Sequence, residues 1–143
     1  PTMLDDLGLI PALSSLNERF TSQTNIQVLF KYSGLERRYH PNLEITIFRI
    51  IQEALTNSAK HAEVDQVSVR VWTDKNFLRL QVQDEGIGFD VDQALQQQRT
   101  SGLSGMIERA VACGGSLEID STPFGGTCIT GEFPLYIYGE ANT

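Results

Sequence analysis

The sequence predicts an α+β fold: a two-layer α/β sandwich in which a mixed, mainly antiparallel sheet is covered on one face by three helices. Two observations predict it. Segments with the apolar spacing of helices alternate with strand-like segments, in the order α-β-α-β-β-α-β-β. The 143 residues, 41% of them hydrophobic, suffice for one domain with a sizeable core. We assign residues 1–135 to that domain and residues 136–143 to a C-terminal tail.

The first half of the chain is predicted to contain two helices and one strand. Residues 7–24 carry apolar side chains at helical spacing, and Pro11 fits the first turn, where a missing N–H costs little. Residues 26–32 are rich in β-branched and aromatic side chains and are predicted to form a strand. After a loop, Pro41 begins the clearest helix, which extends over residues 42–62 with one continuous apolar face.

The second half is predicted to contain one helix between two hairpins. Four segments alternate in hydropathy and pair as Gln66–Thr73 with Phe77–Asp84, and Ser116–Ser121 with residues 127–135. Residues 86–102 are polar and glycine-containing, which predicts a loop. Residues 103–113 have helical spacing, and the glycines at 114 and 115 fit the end of that helix.

Charge and cysteine content exclude several classes of function. Eleven Lys and Arg against eighteen Asp and Glu give a formal charge of −7, which argues against binding to a nucleic-acid backbone. No apolar stretch is long enough for a membrane span, and no signal peptide is visible, so we expect no direct membrane contact. Cys113 and Cys128 show no metal-type spacing and predict buried thiols in a reducing cytoplasm.

Glycine is concentrated in the second half of the chain. Eight of the twelve glycines lie between Gly86 and Gly126, mostly as close pairs. Glycine permits positive φ and close approach of the backbone, as a phosphate or a flat base requires. An ordinary turn explains any single pair equally well, and a helix end explains the pair at 114 and 115 better.

The long helix carries a polar stripe beside its apolar face. Glu53, Asn57 and Lys60 are spaced i, i+4, i+7. A carboxylate can accept a proton, an amide oxygen can ligate Mg²⁺, and an ammonium can meet a phosphate oxygen. The same spacing is also that of an ordinary solvated helix face, so the stripe alone leaves both interpretations open.

A carboxylate stands where a predicted strand ends in a glycine turn. Asp84 is followed by Glu85, Gly86, Ile87, Gly88 and Phe89. At this position the carboxylate could accept a hydrogen bond from an exocyclic amine such as that of adenine. It could equally cap the turn by bonding to its own backbone.

Taken together, these patterns resemble the catalytic ATP-binding domain of sensor histidine kinases. Residues 52–62 (QEALTNSAKHA) resemble its N box, and residues 84–89 (DEGIGF) resemble its first glycine box. Residues 101–110 (SGLSGMIERA) resemble the second box, and residues 125–127 (GGT) resemble the third. Residues 4–13 are similar to the segment that precedes this domain in the NarX/DesK-like subfamily.

The resemblance implies a histidine kinase-like ATPase fold, shared with type II topoisomerases and MutL-type ATPases, and a role for each matched residue. It implies that Asp84 holds the adenine amino group while Gly88 shapes the base pocket. Asn57 would ligate Mg²⁺ at the phosphates of ATP, Lys60 would contact phosphate, and Glu53 would assist γ-phosphoryl transfer. The other residues that it places at the nucleotide are His61, Gly86, Gly102, Leu103, Gly105, Met106 and Thr127.

The same resemblance implies a mobile lid over residues 90–101 and a phosphate-facing N-terminus of the helix that follows. Helix N-termini favour anions, which supports the second expectation independently. Lys60, Arg99 and the amides of the glycine loops are the expected donors to the phosphates.

One departure from the family concerns histidine. A histidine kinase needs a phosphoacceptor histidine on a dimerisation helix, whereas His40 lies in a predicted loop and His61 lies inside the N box. The chain therefore resembles the ATP-binding half of a larger cytoplasmic or membrane-anchored kinase. Its expected partners are the dimerisation and phosphoacceptor helices of the same protein and a response regulator, with a homodimeric parent.

Two alternatives remain open from the sequence. An ATPase of the topoisomerase or MutL type would use Glu53 to activate water, although the segment 4–13 and the short lid fit the kinase better. A non-catalytic interaction module could keep the fold as a docking surface. The presence of Asn57, Asp84, Gly86 and Gly88 argues against such decay.

Overall fold

The computed structural model describes residues 2–97 and 101–135, and within them it contains five helices and five strands. The helices are α1 (Thr2–Leu7), α2 (Leu9–Thr24), α3 (Pro41–His61), α4 (Val91–Gln97) and α5 (Ser101–Ala112). The strands are β1 (Gln27–Ser33), β2 (Gln66–Thr73), β3 (Phe77–Asp84), β4 (Ser116–Ser121) and β5 (Thr127–Pro134).

The strands form one sheet in the order β1-β2-β3-β5-β4. Strands β1 and β2 are parallel and the other three pairs are antiparallel, which confirms the predicted mixed, mainly antiparallel sheet. Asp84, the last residue of β3, pairs with Thr127, the first residue of β5. Two predicted site residues therefore lie side by side at one end of the sheet.

Apolar side chains on one face of the sheet form the core with the helices. Val69 of β2 pairs with Val82 of β3, which pairs with Ile129 of β5, and all three are buried. Helix α3 contributes a continuous buried face: Leu43, Ile47, Phe48, Ile50, Ile51, Ala54 and Leu55. Because this helix packs across the core face, its polar stripe is held at the edge of the sandwich.

The long helices and the strands lie within two residues of their predicted bounds, but two short helices were not predicted. Helix α1 is separated from α2 by Gly8, which has φ +91°. Helix α4 lies inside the segment predicted to be a loop and a lid. Helices of six or seven residues span less than two turns, so they show little apolar periodicity. The predicted tail, residues 136–143, lies outside the described residues.

Helix α3 begins as its sequence predicts. Pro41 occupies the first turn, and His40 precedes it as the N-cap, with its Nδ1 accepting from the Asn42 N–H at 3.1 Å. In the part of the chain that the structure describes, none of the helices combines the length and the apolar character needed to cross a membrane.

Candidate functional site

A cavity opens where helix α3 passes the ends of strands β3 and β5 and the start of helix α5. Its walls are mostly apolar, with few polar groups, a composition typical of small-molecule sites. The lining residues are Ala54, Asn57, Ser58, His61, Ala62, Val82, Asp84, Gly88, Phe89, Leu103, Thr127 and Ile129. Aliphatic walls of this kind suit the flat face of a heteroaromatic ring.

The Asp84 carboxylate is the acidic group of this cavity, and it is held rigidly. The residue is 6% exposed. Its Oδ2 accepts from the Ser58 hydroxyl at 2.9 Å, and its Oδ1 accepts from the Gly86 N–H at 2.9 Å. A buried carboxylate that receives two hydrogen bonds keeps one orientation, with lone pairs left to accept a further donor from a ligand.

The turn after Asp84 requires glycine at two positions. A Cβ on Gly86 would collide with the carbonyl of Ala62, because the turn packs directly on the end of helix α3. The neighbouring Ile87 N–H donates to that same carbonyl at 3.0 Å. Gly88 has φ +63°, and a Cβ there would collide with the carbonyl of Thr122. The turn is thus wedged between helix α3 and the β4–β5 connection.

The Ser121 hydroxyl links three parts of the cavity wall. It accepts from the Phe89 N–H at 3.0 Å, lies 2.8 Å from Thr127 Oγ1, and donates to the Gly126 carbonyl at 2.9 Å. These bonds hold Thr127 and Phe89 at the cavity. Strand β4 therefore takes part in the site although no residue of β4 was predicted to do so.

Asn57 presents a buried amide to the cavity. Among the described residues, its Nδ2 is buried and makes no hydrogen bond. A buried N–H donor without an acceptor is costly, and such a group is often satisfied by a ligand or water. The amide oxygen of the same side chain is the type of ligand that Mg²⁺ prefers.

A metal at this site would need ligands beyond those that the described residues supply. Within the described ranges, no group of three or more His, Cys, Asp or Glu side chains is arranged to hold a metal ion. Mg²⁺ is commonly bound through one or two protein oxygens, several waters and the phosphates of a nucleotide. The Asn57 amide oxygen therefore fits a metal that is also held by the phosphates of a nucleotide.

Glu53 lies one helical turn before Asn57 and faces a second groove, between α3 and α5. This groove is lined by Arg49, Gln52, Glu53, Gly102, Gly105, Met106 and Arg109. The Glu53 carboxylate packs against the backbone of Gly102, in the first turn of α5, where a Cβ would collide with it. Gly105 differs, because a Cβ there would meet no atom within 4 Å. The structure thus places a carboxylate at the N-terminus of helix α5.

The predicted site residues divide between these two places. The cavity brings together Asn57, His61, Asp84, Gly88, Leu103 and Thr127. The groove contains Glu53, Gly102, Gly105 and Met106. Gly86 lies beneath the cavity, against Ala62. Lys60 is exposed on helix α3, and His61 continues the stripe into the cavity. Arg99 lies outside the described residues.

Two residues that organise the site were missed by sequence analysis. Ser58 lies within the helix predicted over residues 42–62, Ser121 ends the strand predicted over residues 116–121, and neither was given a role. A signal existed for Ser58, since a hydroxyl on a buried helix face must find a partner. Nothing in the sequence identifies that partner as Asp84, 26 residues away.

Residues 42–137 match the profile of a protein family described as histidine kinase-, DNA gyrase B-, and HSP90-like ATPase. The chain is 39% identical over 132 residues to the signal transduction histidine-protein kinase/phosphatase DegS of Brevibacillus brevis, covering 92% of this chain and 34% of that protein. It is 36% identical over 136 residues to the oxygen sensor histidine kinase NreB of Staphylococcus carnosus, covering 94% and 39%. The chain thus spans about a third of the length of these relatives.

The fold also has a solved counterpart. The histidine kinase domain of the blue-light activated histidine kinase EL346 from Erythrobacter litoralis superposes with a TM-score of 0.66 at 20% sequence identity. The match covers 85% of this chain and 57% of the other. At this identity the likeness concerns the fold.

Proposed function

The chain belongs to the histidine kinase-, DNA gyrase B-, and HSP90-like ATPase family, and we propose that it is the ATP-binding catalytic domain of a two-component sensor histidine kinase. Family membership confirms the resemblance carried by the four boxes. The NarX/DesK-like resemblance is confirmed as well, since the relatives DegS and NreB are kinases of that type. The activity, substrates and partners of the whole protein are our proposals.

The observation that carries the proposal is the Asp84 carboxylate, fixed by Ser58 and Gly86 in an apolar cavity. Adenine presents an exocyclic amino donor on a flat apolar ring. Asp84 would accept from that amino group, and the aliphatic wall would contact the ring. Gly88 lets the backbone come close to the base because it carries no side chain.

The phosphates would extend along helix α3 from the cavity towards the groove. Asn57 would ligate Mg²⁺ through its amide oxygen, and a bound Mg²⁺ would neutralise charge on the phosphates. Lys60, His61 and Thr127 would contribute donors around the nucleotide. The N-terminal half of α5, with Gly102, Leu103, Gly105 and Met106, would face the phosphates, since helix N-termini favour anions.

Glu53 would assist the transfer as a proton acceptor. In the proposed reaction a histidine nitrogen attacks the γ-phosphorus of ATP, the bond from the γ-phosphorus to the bridging oxygen breaks, and ADP leaves. Glu53 can take the imidazole proton, and its place beside Gly102 supports this role. The attacking histidine would lie on a dimerisation helix absent from this chain.

The wider setting follows from this proposal. We expect the domain to work in the cytoplasm, within a homodimeric parent, and to act with the dimerisation and phosphoacceptor helices of that parent. A response regulator would then receive the phosphoryl group. The net charge of −7 favours neither nucleic acid nor an anionic membrane as a partner.

Titration of the chain with a fluorescent ATP analogue and Mg²⁺ tests the proposal, with Asp84→Asn as the variant and Asp120→Asn as the charge-matched control. Asp120 is exposed on strand β4, which β5 separates from β3. Asp84→Asn should weaken the binding of adenine nucleotides about tenfold to hundredfold, which corresponds to the free energy of one charge-assisted hydrogen bond. Inorganic triphosphate should be affected far less, and Asp120→Asn should bind like the unmodified chain.

Four results would contradict the proposal. Absence of saturable binding up to millimolar nucleotide would favour a docking module, as would absence of thermal stabilisation by Mg·ATP. Equal losses for adenine nucleotides and triphosphate in Asp84→Asn would contradict the role in reading the base. Steady ATP turnover by this chain alone, lost in Glu53→Ala, would favour a hydrolase of the topoisomerase or MutL type.

A further inference from the structure

We propose that Arg38 is a positioning residue that locks helix α1 onto the first turn of helix α3, the helix that carries Glu53 and Asn57. The inference rests on the proposed function only for its consequence at the nucleotide site. The lock itself is a property of the fold. It consists of the Arg38 guanidinium, the Glu44 carboxylate and the last carbonyls of α1.

On one side, the Arg38 guanidinium forms a bidentate ion pair with the Glu44 carboxylate. Arg38 Nε lies 3.0 Å from Glu44 Oε2, and Nη2 lies 2.8 Å from Oε1. Glu44 belongs to the first turn of α3 and its side chain is 2% exposed. The Tyr39 N–H also donates to Glu44 Oε2, at 3.2 Å. This hydrogen bonding by Glu44 raises the pKa of Arg38 above its ordinary value.

On the other side, the same guanidinium caps helix α1. Arg38 Nη2 donates to the Leu4 carbonyl at 3.1 Å and to the Asp5 carbonyl at 3.2 Å. The Leu4 carbonyl also accepts from the Gly8 N–H, whereas the Asp5 carbonyl lies in the last turn of α1, where carbonyls lack partners within the helix and a nearby cation is favourable. Gly8 makes room for the contact, since a Cβ there would lie 2.9 Å from Arg38 Cδ. One side chain thus joins α1 to α3.

The energetics favour a lock over an incidental surface pair. A six-residue helix is not stable by itself, so α1 depends on its docking contacts, which are Leu4 in the core and Arg38 at its end. Glu44 is buried, and an unpaired buried carboxylate is costly. The planar fork of arginine bonds the carboxylate through two nitrogens while it also reaches the backbone carbonyls, a geometry that the three donors on the single nitrogen of lysine do not reproduce.

The lock connects α1 with the proposed nucleotide site through a rigid element. Helix α3 continues without interruption from Glu44 to Asn57, thirteen residues or about 20 Å of helix. A displacement of α1 would therefore be transmitted to α3, because separating the two helices would break either the Arg38 bonds to the α1 carbonyls or the Arg38 bonds to Glu44. In the proposed kinase, the Arg38 lock would therefore couple the position of α1 to the orientation of Glu53 and Asn57.

Amide hydrogen exchange of the nucleotide-free chain tests the lock. The Gly8 N–H donates to the Leu4 carbonyl at 3.0 Å and reports on the last turn of α1. Arg38→Lys keeps a positive charge beside Glu44 but loses the fork. We expect it to speed Gly8 exchange about tenfold or more, with the Asn25 amide at the end of α2 unchanged. Arg19→Met, an exposed site on α2, is the control and should change neither amide.

Arg38→Met should speed Gly8 exchange at least as much and also lower the melting temperature, because it leaves Glu44 unpaired. If that variant does not fold, Arg38→Lys still decides. Gly8 exchange equal to that of the unmodified chain in Arg38→Lys would overturn the lock.

A second measurement tests the positioning role. Saturating Mg·ADP should slow Gly8 exchange in the unmodified chain and have no such effect in Arg38→Lys, since coupling between sites is reciprocal. The positioning role would be overturned if Mg·ADP binds the unmodified chain without slowing Gly8 exchange. It would also be overturned if Mg·ADP slows Gly8 exchange equally in the unmodified chain and in Arg38→Lys. If the unmodified chain binds no nucleotide, the proposed function fails, whereas the nucleotide-free exchange still tests the lock.

Discussion

Replacing Asn57 by leucine should stabilise the ligand-free chain while abolishing its response to nucleotide. The Asn57 Nδ2 is buried without a hydrogen bond among the described residues. An unsatisfied buried donor costs about 1–3 kcal/mol, and leucine removes that cost. The surrounding wall is apolar, so the new side chain gains contacts and loses no hydrogen bond of the amide nitrogen. For a chain of this size, the change corresponds to a rise of about 3–10 °C in melting temperature.

The assay is urea and thermal unfolding, with and without Mg·ADP. Asn17→Leu is the matched control, because Asn17 is also buried and both of its amide atoms lack a partner among the described residues. Asn17 lies on α2 and does not line the cavity. Both variants should be more stable without ligand. Only Asn17→Leu should keep the stabilisation by Mg·ADP.

Two outcomes would refute this reasoning. A lower melting temperature for Asn57→Leu, with Asn17→Leu behaving as expected, would mean that the Asn57 amide is satisfied in the free protein. An undiminished response of Asn57→Leu to Mg·ADP would mean that the amide does not contact the ligand or its metal. The first outcome concerns stability alone, and the second concerns the site.

Three further predictions follow from individual contacts. Ser58→Ala should lower the free energy of unfolding by about 1.5–3 kcal/mol, since it removes a buried hydrogen bond to the Asp84 carboxylate; urea denaturation measures this, and a loss below about 0.5 kcal/mol would contradict it. Phe124→Gly should raise the free energy of unfolding by about 0.5–1 kcal/mol. Phe124 is 88% exposed and has φ +64°, so glycine relieves left-handed backbone strain of about 1–2 kcal/mol, which outweighs the entropic cost of glycine. A lower melting temperature of the variant would show that the ring makes a needed contact. The Asn76 and Phe77 amides and the Arg79 side chain hold the pKa of Asp74 below its usual 3.8, with the Asn76 bond the largest cause. The stability that the Asp74 carboxylate contributes to the folded state is therefore present above pH 3.8 and is lost as the pH falls through the lowered pKa of Asp74. Asp74→Asn should flatten the stability profile below about pH 3.8, and an unchanged acid limb would contradict this.

The accuracy of the sequence-based predictions follows the length of each pattern. Helix α3 offers nearly six turns of apolar spacing, and its predicted bounds are correct to within one residue. The β2–β3 hairpin is correct at both strands, because strict alternation over eight residues leaves one register for a buried face. Helices α1 and α4 were missed, because less than two turns hold too few apolar positions to show a period.

The structure divides the residues of the predicted site between two neighbouring places, a cavity and a groove. Asn57, Asp84 and Gly88 line one cavity as the boxes imply, whereas Glu53 faces the groove beside it. Lys60 and His61 are both exposed, and of the two it is His61 that lines the cavity. Positions three or four residues apart share one side of a helix, but the packed neighbours decide which of them faces a cavity.

The sequence by itself determined the local features of this protein: the long helix, the two hairpins and the glycine turn after Asp84. These depend on backbone preferences and apolar periodicity, which act between residues close in the chain. Only the tertiary structure decided that Ser58 orients Asp84 across 26 residues, and that Arg38 reaches the Leu4 carbonyl across 34. The physical reason is that a hydrogen bond forms within about 3 Å, and hydrophobic patterning brings elements together without specifying which polar atoms meet.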